Sequence, residues 1–425
     1  MNPDASLDAA SGAGRVRALL DPGSFEALSG AASDATVGRG TLAGHAVWIG
    51  ALDGKVEGGS IGVAEARALR ALFDAARAAR EPLVLAIDSA GARLSEGVAA
   101  LGAFRVMYRA ALECSAARLP MLALIGRFCF GGASMLAWLC DRRVSSARSR
   151  IAMSGPGVIA ALGGPGELDA NDRAAVARLM GGAARAATDA ACVLLPDPGI
   201  DACRAAVLAW LERGVAVEPI ERRHQALGAR LGASAAARAP GQIPAALARQ
   251  LAALFPQGCE ATLDGGLLSG RARVNGADAA LAGLVAGRAA GAREAWLLAD
   301  TVLRAAAGGA RAPTYLIYDC PGHALTRADE ALLLSQYVVH LSAALDFARM
   351  QGRRIELYIG GEASGGIYVA LAAPASRVIA LPGADVRILP RAAVERVLGE
   401  APREDAGPER WVALDIADEV APRAA

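Results

Sequence analysis

Short apolar runs alternate with longer amphipathic stretches along the chain. The apolar runs predict strands over residues 46–49, 83–87, 121–125, 143–144 and 151–152. Apolar positions three and four residues apart predict helices over residues 63–79, 101–117 and 174–179. This alternation is typical of an α/β fold in which helices pack on largely parallel strands.

One strand–turn–helix pattern occurs twice at a fixed distance. Three glycines recur 234 residues later, so that Gly126, Gly131 and Gly132 correspond to Gly360, Gly365 and Gly366. The same offset carries residues 143–144 onto 377–378. Asp88 and Gly91, which precede the first pattern, correspond to Asp319 and Gly322 before the second at an offset of 231. A shared register of this kind predicts a tandem duplication.

The segment between the two patterns has a different composition. Residues 221–257 are rich in alanine and arginine, contain Pro240 and Pro244, and show helical stretches without a strand signal. We therefore predict an N-terminal domain over residues 1–220, a helical linker over 221–257 and a C-terminal domain over 258–425.

Composition excludes several classes of protein. The 425 residues carry 44 basic and 43 acidic side chains, a net charge of +1, which argues against a nucleic-acid partner. The seven cysteines are scattered without a metal-ligand spacing, so we expect buried thiols in a reducing compartment and no bound metal.

The ends and the apolar stretches of the chain predict a cytoplasmic protein. The N-terminus lacks the basic start and apolar run of a signal peptide. The apolar stretch 119–140 is interrupted by Gly126, Arg127 and a glycine pair, which favours a buried strand, a turn and a helix over a membrane span.

Each glycine pair follows a strand and precedes a helix. Glycine lets a ligand approach the backbone closely, and the first N–H groups of a helix lack intrahelical partners. The pairs Gly131–Gly132 and Gly365–Gly366 therefore predict two anion sites made of main chain. The alternative is tight helix–sheet packing. The Gly-Lys-Ser/Thr of phosphate loops and the G-x-G-x-x-G of dinucleotide sites are both missing.

Several motifs resemble one enzyme superfamily. The sequences DSAGARLSEG at 88–97, FGGAS at 130–134, SGPGVI at 154–159 and GGSIG at 58–62 are similar to the β half of acyl-CoA carboxyltransferases. Within it, the first half resembles the β subunit of biotin-independent malonate decarboxylase. The second half resembles the γ subunit through DCPGHALTRADE at 319–330 and GGEASGG at 360–366. The resemblance covers roughly residues 10–215 and 260–400.

This resemblance implies a crotonase-like spiral fold in each half and a substrate presented as a malonyl thioester. The expected reaction converts malonyl-S-ACP, where ACP is an acyl carrier protein, to acetyl-S-ACP and CO2. No tightly bound cofactor is expected, because the thioester is carried on coenzyme A or on the phosphopantetheine of the carrier. An acyl/CoA transferase subunit is a further expected partner, and the chain is expected to form a homo-oligomer, most simply a dimer, away from membranes.

The resemblance also assigns roles to residues. Gly131 and Gly132 would bind the thioester enolate, while Gly365 and Gly366 would hold the departing carboxylate or CO2. His323, in a loop after a strand, is the candidate proton donor because histidine titrates near neutrality; the alternative is a surface histidine.

Other polar residues near these motifs have a structural alternative. Ser364, Glu362 and Ser134 could orient a carboxylate or water, or could simply cap turns. Lys55, the one lysine of the chain, and Arg127 could contact a phosphate or lie in solvent.

Three residues are expected to contact the coenzyme A or phosphopantetheine group that carries the thioester, called the carrier arm below: Gly91, Arg93 and Gly155. Arg93 could instead pair with Glu96 and shape its loop. Ala90 replaces a glycine and Ser95 a glutamine that are usual in the family, which leaves the identity of the carrier more open than the reaction.

Three other functions compete with this hypothesis. Residues 58–62 match the G-x-S-x-G of serine hydrolases, but Lys55 and Glu57 separate them from the preceding strand. Biotin-dependent carboxyl transfer would use the same two sites, with biotin supplied by a partner because the chain lacks a Met-Lys-Met motif. A non-catalytic scaffold that docks a carrier protein is the third.

Overall fold

The chain forms two compact units. The computed structural model describes residues 11–28, 33–164, 166–196, 199–214, 218–236, 240–308, 312–390, 394–395 and 407–422. Unit 1 comprises Met1–Glu96, Val106–Val217 and Leu325–Ser335; unit 2 comprises Gly97–Arg105, Glu218–Ala324 and Gln336–Ala425. The boundaries predicted for the domains stay a prediction.

Each unit is built on one mixed sheet. Unit 1 contains β1 (Glu26–Ala27), β2 (Thr36–Leu42), β3 (His45–Leu52), β4 (Leu83–Ser89), β5 (Met121–Phe130), β6 (Arg142–Ser146), β7 (Arg150–Ala152) and β8 (Cys192–Leu195). Unit 2 contains β9 (Cys259–Asp264), β10 (Leu267–Val274), β11 (Ala277–Leu284), β12 (Thr314–Cys320), β13 (Ile355–Ser364), β14 (Arg377–Ala380), β15 (Asp385–Arg387) and β16 (Glu419–Val420). All five predicted strands are present.

The two sheets have the same topology within the described residues. The strand order is β1-β2-β3-β4-β5-β6-β8 in unit 1, with β7 beside β5, and β9-β10-β11-β12-β13-β14-β16 in unit 2, with β15 beside β13. In each sheet the first three strands are antiparallel and the remaining pairs are parallel. Even the register shift between β4 and β5 recurs between β12 and β13. The duplication predicted from the glycine spacing is confirmed at this level.

The helices follow the strands in chain order. They are α1 (Gly12–Leu19), α2 (Val63–Ala79), α3 (Gly97–Ala116), α4 (Gly132–Leu139), α5 (Pro156–Val158), α6 (Arg173–Met180), α7 (Gly182–Thr188), α8 (Ile200–Arg213), α9 (Ile220–Leu231), α10 (Ala245–Leu254), α11 (Ala292–Ala307), α12 (Arg327–Ala331), α13 (Leu334–Met350), α14 (Gly365–Ala372) and α15 (Pro408–Trp411). The three predicted helices correspond to α2, α3 and α6.

The start of α2 illustrates how local sequence sets an element. Glu65 accepts the N–H of Gly62 at 2.9 Å, which satisfies a backbone donor at the helix start. Leu69, Leu72 and Phe73 recur on one side and are buried. In unit 2, Glu294 caps α11 by accepting the N–H of Gly291 at 3.1 Å. The duplication therefore extends to the capping residues.

The apolar core of unit 1 lies where α1 and α8 cover the sheet. It includes Val16, Ile49, Val84, Leu122 and Val207, each at most 3% exposed. Full burial of such a side chain contributes about 1.5–3 kcal/mol relative to exposure. The apolar stretch 119–140 forms β5, a turn and α4, as predicted. No helix in the described part of the chain combines the length and apolar character needed to cross a bilayer.

Each unit includes one short segment from the other half of the sequence. Residues 97–105, at the start of α3, belong to unit 2, and residues 325–335, around α12, belong to unit 1. In unit 2, buried Arg105 donates to the carbonyl oxygens of Ala372 at 3.2 Å and Asp415 at 2.9 Å and pairs with Asp418 at 3.1 Å. These bonds attach the start of α3 to unit 2.

The predicted linker is helical where the structure describes it. It contains α9 and α10, and no strand of either sheet lies in its described part. In α9, His224 contacts His340 at 3.0 Å and Asp300 at 3.3 Å, and its ring stacks on Trp296 at 4.6 Å. The α9 helix is thus a fixed part of unit 2.

We predict that Gly102→Ala destabilises unit 2. A methyl group on Gly102 would overlap the carbonyl oxygen of Leu414, and a backbone atom cannot move aside as a side chain can. Such overpacking costs about 1–3 kcal/mol or more. Urea unfolding should show the loss, whereas Gly157→Ala, which meets no atom within 4 Å, should not. Equal stability of the two variants would contradict the described packing.

Candidate functional site

The first glycine turn joins β5 to α4. Gly131 has φ 54° and ψ −129°, a combination open to glycine and strained for other residues. The helix begins at the next residue, Gly132. As the first residue of α4, Gly132 has an N–H that the helix itself does not satisfy. The turn therefore presents a main-chain donor at the positive end of a helix.

Hydrogen bonds hold Gly131 on both sides. Its N–H donates to the carbonyl oxygens of Ala152 at 3.2 Å and Met153 at 3.1 Å. Its own carbonyl accepts from the Ser134 hydroxyl at 2.7 Å and from the Met135 N–H at 3.2 Å. The sequence predicts two adjacent glycine donors, and this needs correction, because the Gly131 amide is already donated within unit 1. The binding role of Gly132 stays a prediction. Ser134 caps the turn, which is the structural alternative to a role in orienting substrate or water.

A second donor lies beside this turn. Gly91, with φ 104°, follows β4, and a Cβ built on it would lie 2.9 Å from the Phe130 carbonyl oxygen. The carbonyl of Gly91 accepts the N–H of Ile61 at 2.8 Å, and the N–H of Arg93 donates to the Ile61 carbonyl at 3.0 Å. Alternate groups of an extended segment face opposite sides, so the Ala92 N–H faces away from Ile61.

The amide of Ala92 completes the candidate site. Its N–H has no hydrogen-bond acceptor among the residues that the structure describes. Ala92 and Gly132 each follow a glycine, and the two glycines are in contact, since a Cβ on Gly131 would lie 3.7 Å from the Gly91 Cα. Two unsatisfied amides in this arrangement are the candidate donors to a negatively charged oxygen. The glycine signal in the sequence pointed to this place but not to Ala92.

Gly155 lies at the edge of the same turn. A Cβ on Gly155 would contact the Phe130 ring at 3.5 Å, so the residue packs against the last side chain of β5. This places Gly155 close to Gly131, as its assignment requires, while its contact with a carrier arm stays a prediction.

Arg93 points into a cluster of carboxylates. Its guanidinium lies 2.8 Å from Glu57, 3.1 Å from Glu65 and 3.2 Å from Glu96, and its side chain is 13% exposed. The predicted pair with Glu96 is confirmed. Because several negative charges already surround this guanidinium, the geometry favours the loop-shaping role over contact with a phosphate.

The second glycine turn repeats the first. Gly365 has φ 59° directly after β13, and Gly322 has φ 126° after β12. Ala290 bonds to the carbonyl of Gly322 and to the N–H of Ala324, both at 2.9 Å, as Ile61 bonds to Gly91 and Arg93. The backbone of His323 therefore occupies in unit 2 the position that Ala92 has in unit 1.

His323 lies beside this second turn. Its Nδ1 is 4.0 Å from a Cβ built on Gly365, and the residue is half-buried rather than a surface histidine. Burial lowers the pKa of His323 to about 4. The expectation that it titrates near neutrality is wrong, because desolvation disfavours the charged imidazolium. At pH 7 the ring is neutral.

Ser364 is hydrogen-bonded to the loop that precedes His323. Its hydroxyl donates to the Pro321 carbonyl, and its own carbonyl accepts the Tyr318 hydroxyl at 3.4 Å. A Cβ on Gly322 would meet the Ser364 Oγ at 2.8 Å. The side chain thus shapes the loop that carries His323. Its assignment as a group that contacts substrate stays a prediction.

A buried ion pair near the first turn was not predicted. The carboxylate of Glu330 accepts the N–H of Ser154 at 2.8 Å and that of Met153 at 3.2 Å, and lies 3.6 Å from the Arg185 guanidinium. Burial raises the pKa of Glu330 to about 7, against the effects of Arg185 and the two amides. The apolar run that follows Glu330 was the sequence signal for this burial.

The cysteines are free thiols, and most of them are buried. The seven cysteines form no disulfide, and burial raises the pKa of Cys114 to about 12 and that of Cys320 to about 11. Among the described residues, no group of three or more His, Cys, Asp or Glu could hold a metal ion.

Comparisons with known proteins agree with this geometry. The family model for the carboxyl transferase domain matches residues 15–189, and that for the malonate decarboxylase gamma subunit matches residues 285–401. A crystal structure of a Pseudomonas malonate decarboxylase hetero-tetramer in complex with malonate is 30% identical, with a TM-score of 0.50; the match covers 54% of this chain and 91% of that chain.

The curated relatives are carboxyltransferase subunits. The methylmalonyl-CoA carboxyltransferase 12S subunit of Propionibacterium freudenreichii subsp. shermanii is 29% identical over 35% of this chain and 32% of its own length. The biotin-dependent acetyl-/propionyl-coenzyme A carboxylase beta6 subunit of Mycobacterium bovis is 32% identical over 39% of this chain and 38% of its own. The chain thus spans about a third of these relatives.

The comparison with the malonate decarboxylase structure and the sheet topology together confirm the predicted fold class, two crotonase-like α/β units in tandem. The motifs at 88–97 and 319–330, which carried the resemblance, fall inside the matched regions.

We predict that Gly131→Ala lowers stability through backbone strain. Space is available, since the nearest atom to the new Cβ would be 3.7 Å away, but the positive φ disfavours alanine by about 1–3 kcal/mol. Gly365→Ala should behave alike. Chemical denaturation measures the change, with Gly157→Ala as the unstrained control. Wild-type stability of both turn variants would show that these dihedral angles are wrong.

Proposed function

Because this chain belongs to the malonate decarboxylase family, with the β-like and γ-like regions fused in one polypeptide, we propose that it releases CO2 from a malonyl thioester. The observation that carries this proposal is the pair of main-chain donors, Ala92 and Gly132, beside a glycine turn held by hydrogen bonds on both sides. The family assignment alone fixes a class of enzyme, and the donors suggest the reaction.

The chemistry requires one stabilised charge. As the bond between the methylene carbon and the carboxylate breaks, its electron pair forms the double bond of an enolate, and negative charge develops on the thioester oxygen. Amide donors aimed at this oxygen stabilise the transition state, and each typically contributes about 2.7–4 kcal/mol. One proton then adds to carbon, so that malonyl-S-ACP and H⁺ give acetyl-S-ACP and CO2.

Unit 2 is assigned to the leaving group. We assign the carboxylate that departs as CO2 to the turn at Gly365 and Gly366, where Gly365 has a positive φ directly after β13. The neutral imidazole of His323 is a poor acid at pH 7, so we assign it to orienting the water that delivers the proton.

The proposal extends to the thioester carrier and the partners. We propose an acyl carrier protein with a phosphopantetheine arm as the carrier, coenzyme A as its simpler substitute, and an acyl/CoA transferase as the enzyme that loads it. The Pseudomonas relative is a hetero-tetramer, which supports assembly with other subunits. A cytoplasmic homo-oligomer completes the proposal.

A second function has its own support. The curated relatives include a carboxyltransferase subunit and a subunit of a biotin-dependent carboxylase, so carboxyl transfer from a biotinylated partner is the competing proposal. Mass spectrometry of malonylated carrier protein after incubation with this chain separates the two. Decarboxylation predicts loss of the mass of CO2 with avidin present, whereas a biotin-dependent transferase would be inactive under those conditions.

We predict that Gly132→Pro lowers kcat by about 10²–10³-fold, since it removes one oxyanion donor. Proline is well tolerated at the first position of a helix. The residue before the new proline, Gly131, has φ 54° and ψ −129°. This conformation is the mirror image of the extended one that residues before proline adopt, and glycine can adopt it because it is achiral.

A matched control is Arg173→Pro, which places proline at the exposed first position of α6, where Asp172 caps the next two amides instead. Its kcat with malonyl-CoA should equal that of the wild type. Full activity of Gly132→Pro, with an unchanged circular dichroism spectrum, would remove this amide from the mechanism.

A further inference from the structure

A short segment from the second half of the sequence packs beside the first glycine turn, at Gly131 and Gly132 in unit 1. Residues 325–335 follow His323 in the chain but belong to unit 1. Two of their side chains, Glu330 and Ser335, are 1% and 2% exposed. Buried polar groups of this kind persist where they make specific bonds, so their partners indicate what the segment does.

Glu330 reaches the N–H side of Gly131. Its carboxylate accepts both N–H groups of the Met153–Ser154 turn, at 3.2 and 2.8 Å. The carbonyl of Met153 in turn accepts the N–H of Gly131 at 3.1 Å. The Glu330 carboxylate therefore holds Met153, and Met153 in turn holds Gly131.

Ser335 reaches the carbonyl side of the same glycine. The Ser134 hydroxyl donates its single proton to the Gly131 carbonyl at 2.7 Å. Ser134 and Ser335 share a hydrogen bond of 2.8 Å between their Oγ atoms, so Ser335 must be the donor in it. Both ends of the Gly131 residue are thus fixed by the same segment.

We propose that Glu330 and Ser335 are positioning residues that hold the Gly131–Gly132 peptide in the orientation that aims the Gly132 N–H at the substrate oxygen. This inference rests on the proposed function for its effect on rate. Neither residue contacts substrate, and both act through Gly131.

The pair with Arg185 makes this arrangement sensitive to charge. Arg185 is 2% exposed and donates to the backbone carbonyls of Ile151 and Glu330, both at 2.8 Å. Arg185 from α7 and Asp329 from α12 itself are the charged groups that act on the Glu330 carboxyl in the described part of the chain. The ionised carboxylate accepts both amide N–H groups, whereas in the protonated form one oxygen carries a hydrogen of its own and is a poorer acceptor for its amide.

The sign of the pH effect follows from these contacts. The pKa of Glu330 is about 7, so its carboxyl group is increasingly protonated as pH falls below that value. One of its two oxygens then accepts its amide N–H less well. The wild-type kcat should therefore decline on the acid side of pH 7 with this ionisation.

The test uses Glu330→Gln, Ser335→Ala and a matched control in the full chain. The carboxamide introduced by Glu330→Gln keeps the shape of the glutamate side chain but cannot accept both N–H groups. We expect kcat with malonyl-CoA to fall about 10–100-fold with KM little changed, as for a misplaced donor. The pH profile of Glu330→Gln should lack the limb near pH 7. Ser335→Ala should lower kcat but keep that limb.

The control is Glu167→Gln. Glu167 accepts the N–H of Arg327 at 2.6 Å, a bond to the exposed end of the same segment and away from Gly131. Its kcat and pH profile should match those of the wild type. Loss of activity in this control as large as that in Glu330→Gln would overturn the proposal, since any loosening of the segment would then suffice.

Hydrogen exchange separates failure of this inference from failure of the proposed function. The amide of Gly131 should exchange about tenfold or more faster in Glu330→Gln, because its acceptor is no longer held, and should be unchanged in Glu167→Gln. A wild-type protein that is inactive on malonyl thioesters would overturn the proposed function. The exchange rate of the Gly131 amide would still test whether Glu330 holds Gly131 in place. Unchanged exchange at Gly131 in Glu330→Gln would overturn the inference.

Discussion

The backbone conformation of Gly131 is the constraint on which the chemistry proposed for this protein depends. At φ 54° it turns the chain from the end of β5 into α4 within one residue, so that the first helical amide, at Gly132, is presented rather than paired. Such a conformation persists only where the surroundings impose it. Here the N–H of Gly131 is tied to the 152–153 carbonyls and its carbonyl to Ser134, and a segment from the far half of the sequence supports both links.

The duplication preserved this backbone and changed the side chains around it. Asp88 accepts the N–H of Phe128 at 3.3 Å and is neutralised by Arg15 at 2.9 Å and Arg127 at 3.0 Å. At the matching place in unit 2, Asp319 accepts the N–H of Glu362 at 3.0 Å, and glycine stands where unit 1 has Arg127. The shared bond fixes the strand ends in both units, while the arginines belong to one. The two turns thus share a backbone arrangement and differ in the charge around it.

The sequence predicted the local elements well and the non-local contacts poorly. Apolar periodicity located β4, β5 and α2 because each is set by its own residues, and the fixed offset between glycines revealed the duplication. The engaged N–H of Gly131 and the N–H of Ala92, free among the described residues, could not be predicted, since both depend on residues 21 to 31 positions away in the chain. The pKa of His323 was misjudged for the same reason, because burial is a property of the folded unit. Glu330 lies in the motif at 319–330, but nothing in the sequence indicates that its carboxylate binds the Met153 and Ser154 amides of the first half.

A crystal structure with a malonyl-CoA analogue, in which a sulfonate replaces the carboxylate so that no CO2 can leave, tests the central claim most directly. The account predicts that the thioester oxygen lies about 2.7–3.1 Å from the backbone nitrogens of Ala92 and Gly132. An analogue bound with its carbonyl away from both nitrogens would contradict it.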